Sequence, residues 1–436
     1  MTGKSRLAVS ALVLGITLPA SALADPAPWS ERAIKEDVDI DALAQSGEDA
    51  ITVLQPLGEE LFKDKFTTLD GAGRPDATRA IVPTKVRRKA PQAFQRLAGM
   101  DANSCSSCHN EPVIGGSGAF TANVFVSEGF ESADFDTTDP QFSCHNEPVI
   151  GGSGAFTANV FVSEGFESAD FDTTDPQFSN ERNTVALQGA GLIELLAREM
   201  TTDLRSQRTD LLARVRKSGQ EETVSLETKG VSFGKLTAFP DGTLDVSRLE
   251  GIDDDLTLRP FSQKGVFASL RQFSVNATND HHGIQAVERF GAEWTGSDDF
   301  DGDGHTGEIS PGQISALVAF QATLPAPTRK QDLPDVWQQA AAKGEALFGT
   351  IGCSSCHIPE LPLESLIFQD PGPFDTAGTL RQSDVKAPLE LDLGTLDWVK
   401  ALPRDDQGRV LVPLYGDLKR HTIADAANDT FGNELL

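Results

Sequence analysis

Two copies of one motif carry the clearest chemistry in this 436-residue sequence. Residues 105–109 and 353–357 both read Cys-Ser-Ser-Cys-His. Two thiols at this spacing can form thioethers with the two vinyl groups of one porphyrin, and the histidine that follows can bind the iron. The sequence therefore predicts two covalently attached haem c groups. The attachment residues are Cys105, Cys108, Cys353 and Cys356, and the proximal iron ligands are His109 and His357.

Zinc and disulfide chemistry fit the paired cysteines less well. A structural zinc ion takes four ligands from one cluster, whereas the two motifs are 353 − 105 = 248 residues apart. A Cys-x-x-Cys disulfide does not require a histidine directly after it, and here both copies have one. The sequence therefore favours haem.

The N-terminus and the charge indicate an exported protein. Lys4 and Arg6 precede an apolar run over residues 7–18, so residues 1–24 are predicted to be a secretory signal peptide. The expected location is the periplasm, with no membrane span in the mature chain. The net charge of −28 opposes binding to nucleic acid. The expected partner is a small redox protein or a small-molecule electron donor, steered in part by this charge.

A shared pattern precedes the motifs and shapes the predicted fold. Gly-Glu-Glu-Leu-Phe at 58–62 and Gly-Glu-Ala-Leu-Phe at 344–348 each indicate an amphipathic helix. Further helices are predicted over 183–217 and from Pro311. The predicted fold is mainly α, with two cytochrome c-like haem domains and a small β-hairpin insertion. The expected divisions are the signal peptide (1–24), an acidic arm (25–55), a first domain (56–330) and a second domain (331–436). Whether the second domain is truncated at its C-terminus is an open question at this point. The predicted hairpin strands are 235–239 and 243–246.

A long duplication interrupts the first domain. Residues 108–143 recur without change as residues 144–179. Solenoid repeats diverge and usually need three or more units, so the copies indicate a recent duplication or an error in the gene sequence. One copy is expected to be looped out of the fold. The second copy begins at Cys144 and lacks the first cysteine of the motif, so Cys144 is interpreted as a stray thiol.

An acidic loop predicts a second metal site. Carboxylates occupy positions 1, 3 and 5 of a calcium-loop pattern, with glycine at position 6. Position 12 is Ser310 instead of the usual glutamate, so a simple Asp/Gly turn is the alternative to Ca²⁺. The candidate calcium ligands are Asp299, Asp301, Asp303, His305 and Glu308.

Several short segments of the sequence, taken together, form a pattern that is specific enough to indicate a protein family. They are Cys-His-Asn-Glu-Pro-Val-Ile-Gly-Gly-Ser-Gly from Cys108, Arg-Asn-Thr at 182–184, Gly-Ala-Gly-Leu-Ile-Glu at 189–194, Asn-Asp-His-His-Gly at 279–283, the acidic loop, and Asp-Leu-Lys-Arg-His at 417–421. The set resembles the dihaem oxidoreductases often described as thiol oxidoreductase-like, which are related to bacterial dihaem cytochrome c peroxidases. The resemblance implies a dihaem oxidoreductase. The duplicated block and the early end of the chain depart from the family pattern.

The sixth ligand of each iron separates the two functions that remain open. A histidine or methionine there gives an electron carrier, whereas an open position lets peroxide bind. One function is an oxidoreductase that passes electrons between the haems and reduces peroxide at one of them, which the resemblance favours. The other is a pure electron-transfer dihaem cytochrome without catalytic activity. Candidates for the distal ligand are His421 first, then His281, His282 and Met200, with Tyr415 also considered, and candidates for a catalytic acid or base are His281, His282 and Glu194.

Overall fold

A computed structural model describes most of the chain between residues 32 and 421. The predicted signal peptide, Asp301, Cys144 and most of the duplicated block lie outside the described residues. Of residues 121–126, 157–162, 180–183 and 280, only the backbone is described. The described ranges are 32–72, 104–110, 113–117, 121–126, 157–162, 180–262, 265–300, 302–330, 332–376 and 378–421.

The prediction of a mainly α fold with two cytochrome c-like haem domains and one small hairpin is wrong. The described part of the chain is about 41% helical and 14% strand, with several small sheets. The missed strands include three in and after the duplicated block and four after the second motif. Each of the latter four is only four residues long with alternate residues buried, as in Leu389–Asp392. Two apolar residues in four do not distinguish a strand from a loop, so the sequence pattern was too short to identify them.

The described helices span very different lengths. The longest, over Ala190–Ser218, begins several residues after the start of the helical region predicted at 183–217. In chain order the helices are α1 (Ile40–Ser46), α2 (Ala50–Lys63), α3 (Ala190–Ser218), α4 (Leu270–Ala277), α5 (Val287–Phe290), α6 (Ala292–Thr295), α7 (Pro311–Thr323), α8 (Asp335–Thr350) and α9 (Asp397–Lys400). Among the described residues, no helix is both long enough and apolar enough to span a bilayer.

The strands of the described residues form four small sheets. In the first, the strand of one duplicated copy pairs in parallel with the same strand of the other, so that Thr121 lies opposite Thr157. The predicted hairpin is present as the β5–β6 pair, but β4 extends it to a three-stranded sheet. The strands are β1 (Thr121–Val126), β2 (Thr157–Val162), β3 (Asn180–Asn183), β4 (Glu222–Thr228), β5 (Val231–Ala238), β6 (Leu244–Asp245), β7 (Glu360–Leu363), β8 (Ile367–Asp370), β9 (Leu389–Asp392) and β10 (Val410–Pro413), and the sheet orders are β2-β1-β3, β4-β5-β6, β10-β7 and β8-β9.

Helix α7 lies at the centre of the core. Its start is as predicted, because the Ser310 hydroxyl accepts from the Gln313 amide and Pro311 is the first helical residue. Every residue from Gly312 to Ala322 is buried, so the helix is surrounded by protein on all sides. Helix α2 crosses α7 closely at Gly58, and α3 approaches it in the same way at Gly191.

A buried ion network ties α4 to the β8 strand. The guanidinium of Arg271, which is 1% exposed, donates to both carboxylate oxygens of Glu288 at 3.0 and 2.6 Å. It also donates to Asp370 at 2.7 Å and to the Ser315 hydroxyl at 2.9 Å. Buried charges are tolerated where they are paired in this way. The network therefore connects α4, α5, α7 and β8 through one side chain.

Candidate haem-attachment sites

Both Cys-Ser-Ser-Cys-His motifs fold as the same turn. Cys105–Ser107 and Cys353–Ser355 are each one turn of 3-10 helix. The amide of His109 donates to the carbonyl of the first cysteine of its turn at 3.0 Å, and the amide of His357 does the same at 2.9 Å. Each histidine is thereby held on the turn that carries its two cysteines.

A phenylalanine ring lies beside each of these histidines. The ring centroids of Phe62 and His109 are 6.1 Å apart, with an angle of 50° between the ring planes. Those of Phe348 and His357 are 6.0 Å apart at 56°. Each phenylalanine is the last residue of its Gly-Glu-x-Leu-Phe pattern. The sequence repeat is therefore also a repeat in three dimensions.

The first motif has an apolar and aromatic setting. Phe62 packs on Phe320 of α7, with ring centroids 5.0 Å apart. The Leu324 side chain lies against Gly115, where a Cβ atom would come within 2.6 Å of it. Such a setting suits a large flat apolar group such as a porphyrin.

Two of the predicted distal candidates lie at the first motif. The π-helical turn Thr278–His282 places Nε2 of His282 3.6 Å from Sγ of Cys105. His282 is buried and packs against Phe66, with ring centroids 5.0 Å apart. His281 is close enough for its charge to act on His109. The structure thus groups His281 and His282 with the first site.

The electrostatics of the first site favour uncharged groups. Burial lowers the pKa of His109 to about 4, and the nearby His281 adds to this shift. Burial raises the pKa of the Cys105 thiol to about 12, with Cys108 contributing. A neutral imidazole is the form that binds iron, and a thioether sulfur carries no charge. Nδ1 of His109 is buried and makes no hydrogen bond to any described residue.

The second motif is much more exposed than the first. Helix α8, which leads into it, has no buried residue, and Trp337 and Ile351 are 64% and 65% exposed. The two pattern glycines show the same contrast. A Cβ atom on Gly58 would lie 1.9 Å from a backbone oxygen of α7, whereas one on Gly344 would meet nothing within 4 Å.

Residues 414–421, here called the clamp segment, lie against the second motif. Nδ1 of His357 is 3.0 Å from the carbonyl of Tyr415, which fits an N–H donor and leaves Nε2 free for iron. His421, the first distal candidate, lies in this segment, and its ring bonds to Asp417. Ligand atoms of Cys356, Asp417 and His421 lie within 4.8 Å of one another. The structure therefore brings His421 to the second motif.

The remaining haem and acid/base candidates lie in the core. Met200 is fully buried on α3. Glu194, on the same helix, accepts from the guanidinium of Arg198 and from the amide of Leu270 at 2.8 Å. Burial raises the pKa of Glu194 to about 7. Since its carboxylate is already bonded within the core, Glu194 has a structural role in this arrangement.

The carboxylates of the acidic loop accept hydrogen bonds from backbone amides. Asp299 accepts from three loop amides, those of residues 302, 303 and 304, at 2.8 to 3.1 Å. Glu308 is buried and accepts from the amide of Gln285 at 2.7 Å. Asp303 accepts from the amide of His305 at 2.7 Å. Within the described part of the chain, which omits Asp301, these groups do not form a three-ligand cluster. Calcium binding stays a prediction.

The residues at the two motifs fit covalently attached haem. Each turn offers two thiols and one imidazole, and the first also has apolar walls and an imidazole nitrogen left unbonded among the described residues. The contribution of Asp417 and of the Tyr415 carbonyl was not predicted. A carboxylate four residues before a histidine was a usable local signal for Asp417. No sequence signal identifies a backbone carbonyl as an acceptor.

Comparison with known proteins gives no match to a family model, a curated protein or a solved structure. The dihaem oxidoreductase resemblance is therefore carried by the motifs of this chain alone.

Proposed function

We propose that this chain is an exported dihaem c-type cytochrome that acts as an oxidoreductase of the thiol oxidoreductase-like type in the periplasm. The observation that carries the proposal is the repetition of one unit. Both copies of Cys-Ser-Ser-Cys-His adopt one turn, and a phenylalanine ring lies 6.1 or 6.0 Å from the histidine in each. Neither a zinc site nor a disulfide requires this ring beside a histidine.

Each motif would hold its haem through its own residues. Cys105 and Cys108 would attach the first haem and Cys353 and Cys356 the second, with His109 and His357 on the irons. Bound haem supplies an iron that alternates between two oxidation states. The protein contributes the orientation of the histidines, with Phe62 and Phe348 beside their rings and the Tyr415 carbonyl accepting from His357.

The two motifs differ in exposure, and this difference supports a direction of electron transfer between them. An electron donor can reach the second motif, because α8 and Cys356 are exposed. The first motif is packed against α2, with His282 beside it and His281 close enough for its charge to act on His109. A half-buried site that carries imidazoles suits proton-coupled chemistry such as peroxide reduction. We therefore assign electron entry to the second site and reaction to the first.

Haem counting in cysteine variants tests the attachment sites. The pyridine haemochrome assay should give two haems per chain for the wild type and one for each of the double variants Cys105→Ser/Cys108→Ser and Cys353→Ser/Cys356→Ser. Cys144→Ser is the control and should retain two. Two haems in either double variant would refute the assignment.

Spectroscopy with peroxide then separates the oxidoreductase from the pure electron carrier. Optical and EPR spectra are recorded on the oxidised and the half-reduced protein before and after addition of peroxide. A high-spin haem that reacts with peroxide supports the oxidoreductase. Two low-spin haems that are inert in both states would establish the electron carrier instead.

A further inference from the structure

A cavity of about 230 Å³ lies at the acidic loop, and its lining includes no residue of either Cys-Ser-Ser-Cys-His motif. Val287 and Phe290 of α5 contribute apolar lining. Asp298 and Glu308 contribute carboxylates, and Gln285 contributes a side-chain amide. The cavity therefore combines acidic, neutral polar and apolar groups within one small volume.

Hydrogen bonds join the two chain segments that line this cavity. The amide of Gln285 donates to the carboxylate of Glu308 at 2.7 Å, and the amide of Val287 donates to the carbonyl of Ile309 at 3.0 Å. Glu308 is only 3% exposed. Because these bonds already hold the two segments together, an occupant would have little backbone to order when it binds.

The side chain of Gln285 is the feature that points to an occupant. Gln285 is 5% exposed, and its side-chain amide makes no hydrogen bond to a described residue. Buried polar groups are normally hydrogen-bonded, and an unbonded one costs free energy. Since Gln285 lines the cavity, an occupant can bond to its oxygen or its nitrogen there.

The charges of the cavity select a cation. Asp298 is exposed, and within the described chain it has no hydrogen bond or ion pair. Glu308 adds a second carboxylate, which is buried. An anion would be repelled by both carboxylates, whereas a cation would be attracted by both.

Size and apolar lining favour an organic cation over a metal ion. The cavity volume is several times the share of one water molecule in the liquid, which is about 30 Å³. A calcium ion needs about six to eight oxygen ligands close around it, and no described residue of this lining belongs to a cluster of three metal-binding side chains. Val287 and Phe290 can instead cover a short carbon chain, and an aromatic ring face attracts cations.

We propose that this cavity binds a small primary ammonium ion, an organic amine with a short apolar chain. The three N–H donors of the ammonium group match three acceptors, which are the carboxylates of Asp298 and Glu308 and the side-chain oxygen of Gln285. The carbon chain would lie against Val287 and Phe290. The inference does not rest on the proposed function, because neither haem motif contributes to the cavity.

Isothermal titration calorimetry of the isolated protein with n-butylammonium chloride tests the site. The titration should show one saturable site per chain. The neutral molecule 1-butanol has a similar size but lacks the charge, so it should bind at least about tenfold more weakly, because hydrogen bonds to charged groups are the stronger ones.

Two variants and a matched control assign the binding to this cavity. Asp298→Asn removes a charge and Gln285→Leu removes the amide, and each should weaken butylammonium binding about three- to tenfold. Asp254→Asn is the control, since Asp254 is also exposed and has no bond to a described residue. Its affinity should stay within about twofold of the wild type.

Each contrary result has a definite meaning. Unchanged butylammonium affinity in both Asp298→Asn and Gln285→Leu would overturn the site. Equal affinity for 1-butanol would overturn the selection of a cation, and displacement of butylammonium by an equal concentration of Ca²⁺ would assign the cavity to a metal ion instead. Urea midpoints show whether the variants fold, and Asp298→Asn at its exposed position decides the test if Gln285→Leu does not.

Discussion

The two pattern glycines offer a matched pair of substitutions with opposite expected effects. Gly58 and Gly344 begin the same Gly-Glu-x-Leu-Phe pattern, and both lie inside helices. Gly58→Ala places a methyl group 1.9 Å from the carbonyl oxygen of Ala316 and 2.8 Å from Cβ of Phe320. Gly344→Ala places the same group in open space.

The free energies follow from this contrast. Replacing glycine by alanine in a helix interior stabilises it by about 1 kcal/mol, and this term is common to both variants. At Gly58 a contact of 3.0 Å or more requires α2 and α7 to separate by about 1 Å, and overpacking of this kind costs about 3 kcal/mol. Gly58→Ala should therefore destabilise the protein by about 2 kcal/mol, and Gly344→Ala should stabilise α8 by up to about 1 kcal/mol.

Urea unfolding followed by circular dichroism measures both changes. The midpoint should fall for Gly58→Ala and stay or rise for Gly344→Ala, with similar slopes for the two transitions. Equal shifts in the two variants, or a stable Gly58→Ala, would refute the close crossing of α2 and α7. Loss of stability in Gly344→Ala would show that a neighbour covers α8.

Two further perturbations act on buried charges. Arg271→Met leaves Glu288 and Asp370 buried without their cation and should cost about 3–5 kcal/mol in urea unfolding. Arg329→Met, at an exposed ion pair, should cost much less; equal losses would contradict the network. The pKa of Glu194 is raised by burial from 4.5 to about 7, so the stability it contributes is complete below about pH 4.5 and is lost as the pH rises through 7. Glu194→Gln cannot ionise and should flatten the fall in unfolding free energy between pH 5 and pH 8, which amounts to at most about 3 kcal/mol; an unchanged slope would count against the shift.

Local signals in the sequence were sufficient for several elements. Ser310 and Pro311 predicted the start of α7 because capping depends on residues only a few positions apart. The Pro-Asp-Gly turn predicted the β5–β6 pair for the same reason. The paired helices before the two motifs also lie where the pattern places them.

Features that depend on distant residues could not be predicted. The sequence did not indicate that His282 would meet Cys105 or that His421 would lie near Cys356, because each pair is joined only by the tertiary fold. Short strands after the second motif were missed because four residues carry too little periodicity.

Peptide mass spectrometry of the protein isolated from a periplasm with haem c assembly tests the central claim most directly. The peptides over residues 105–109 and 353–357 should each carry the mass of one haem, while the peptide with Cys144 should carry none. Unmodified cysteines in both motif peptides, or a disulfide within either pair, would contradict it.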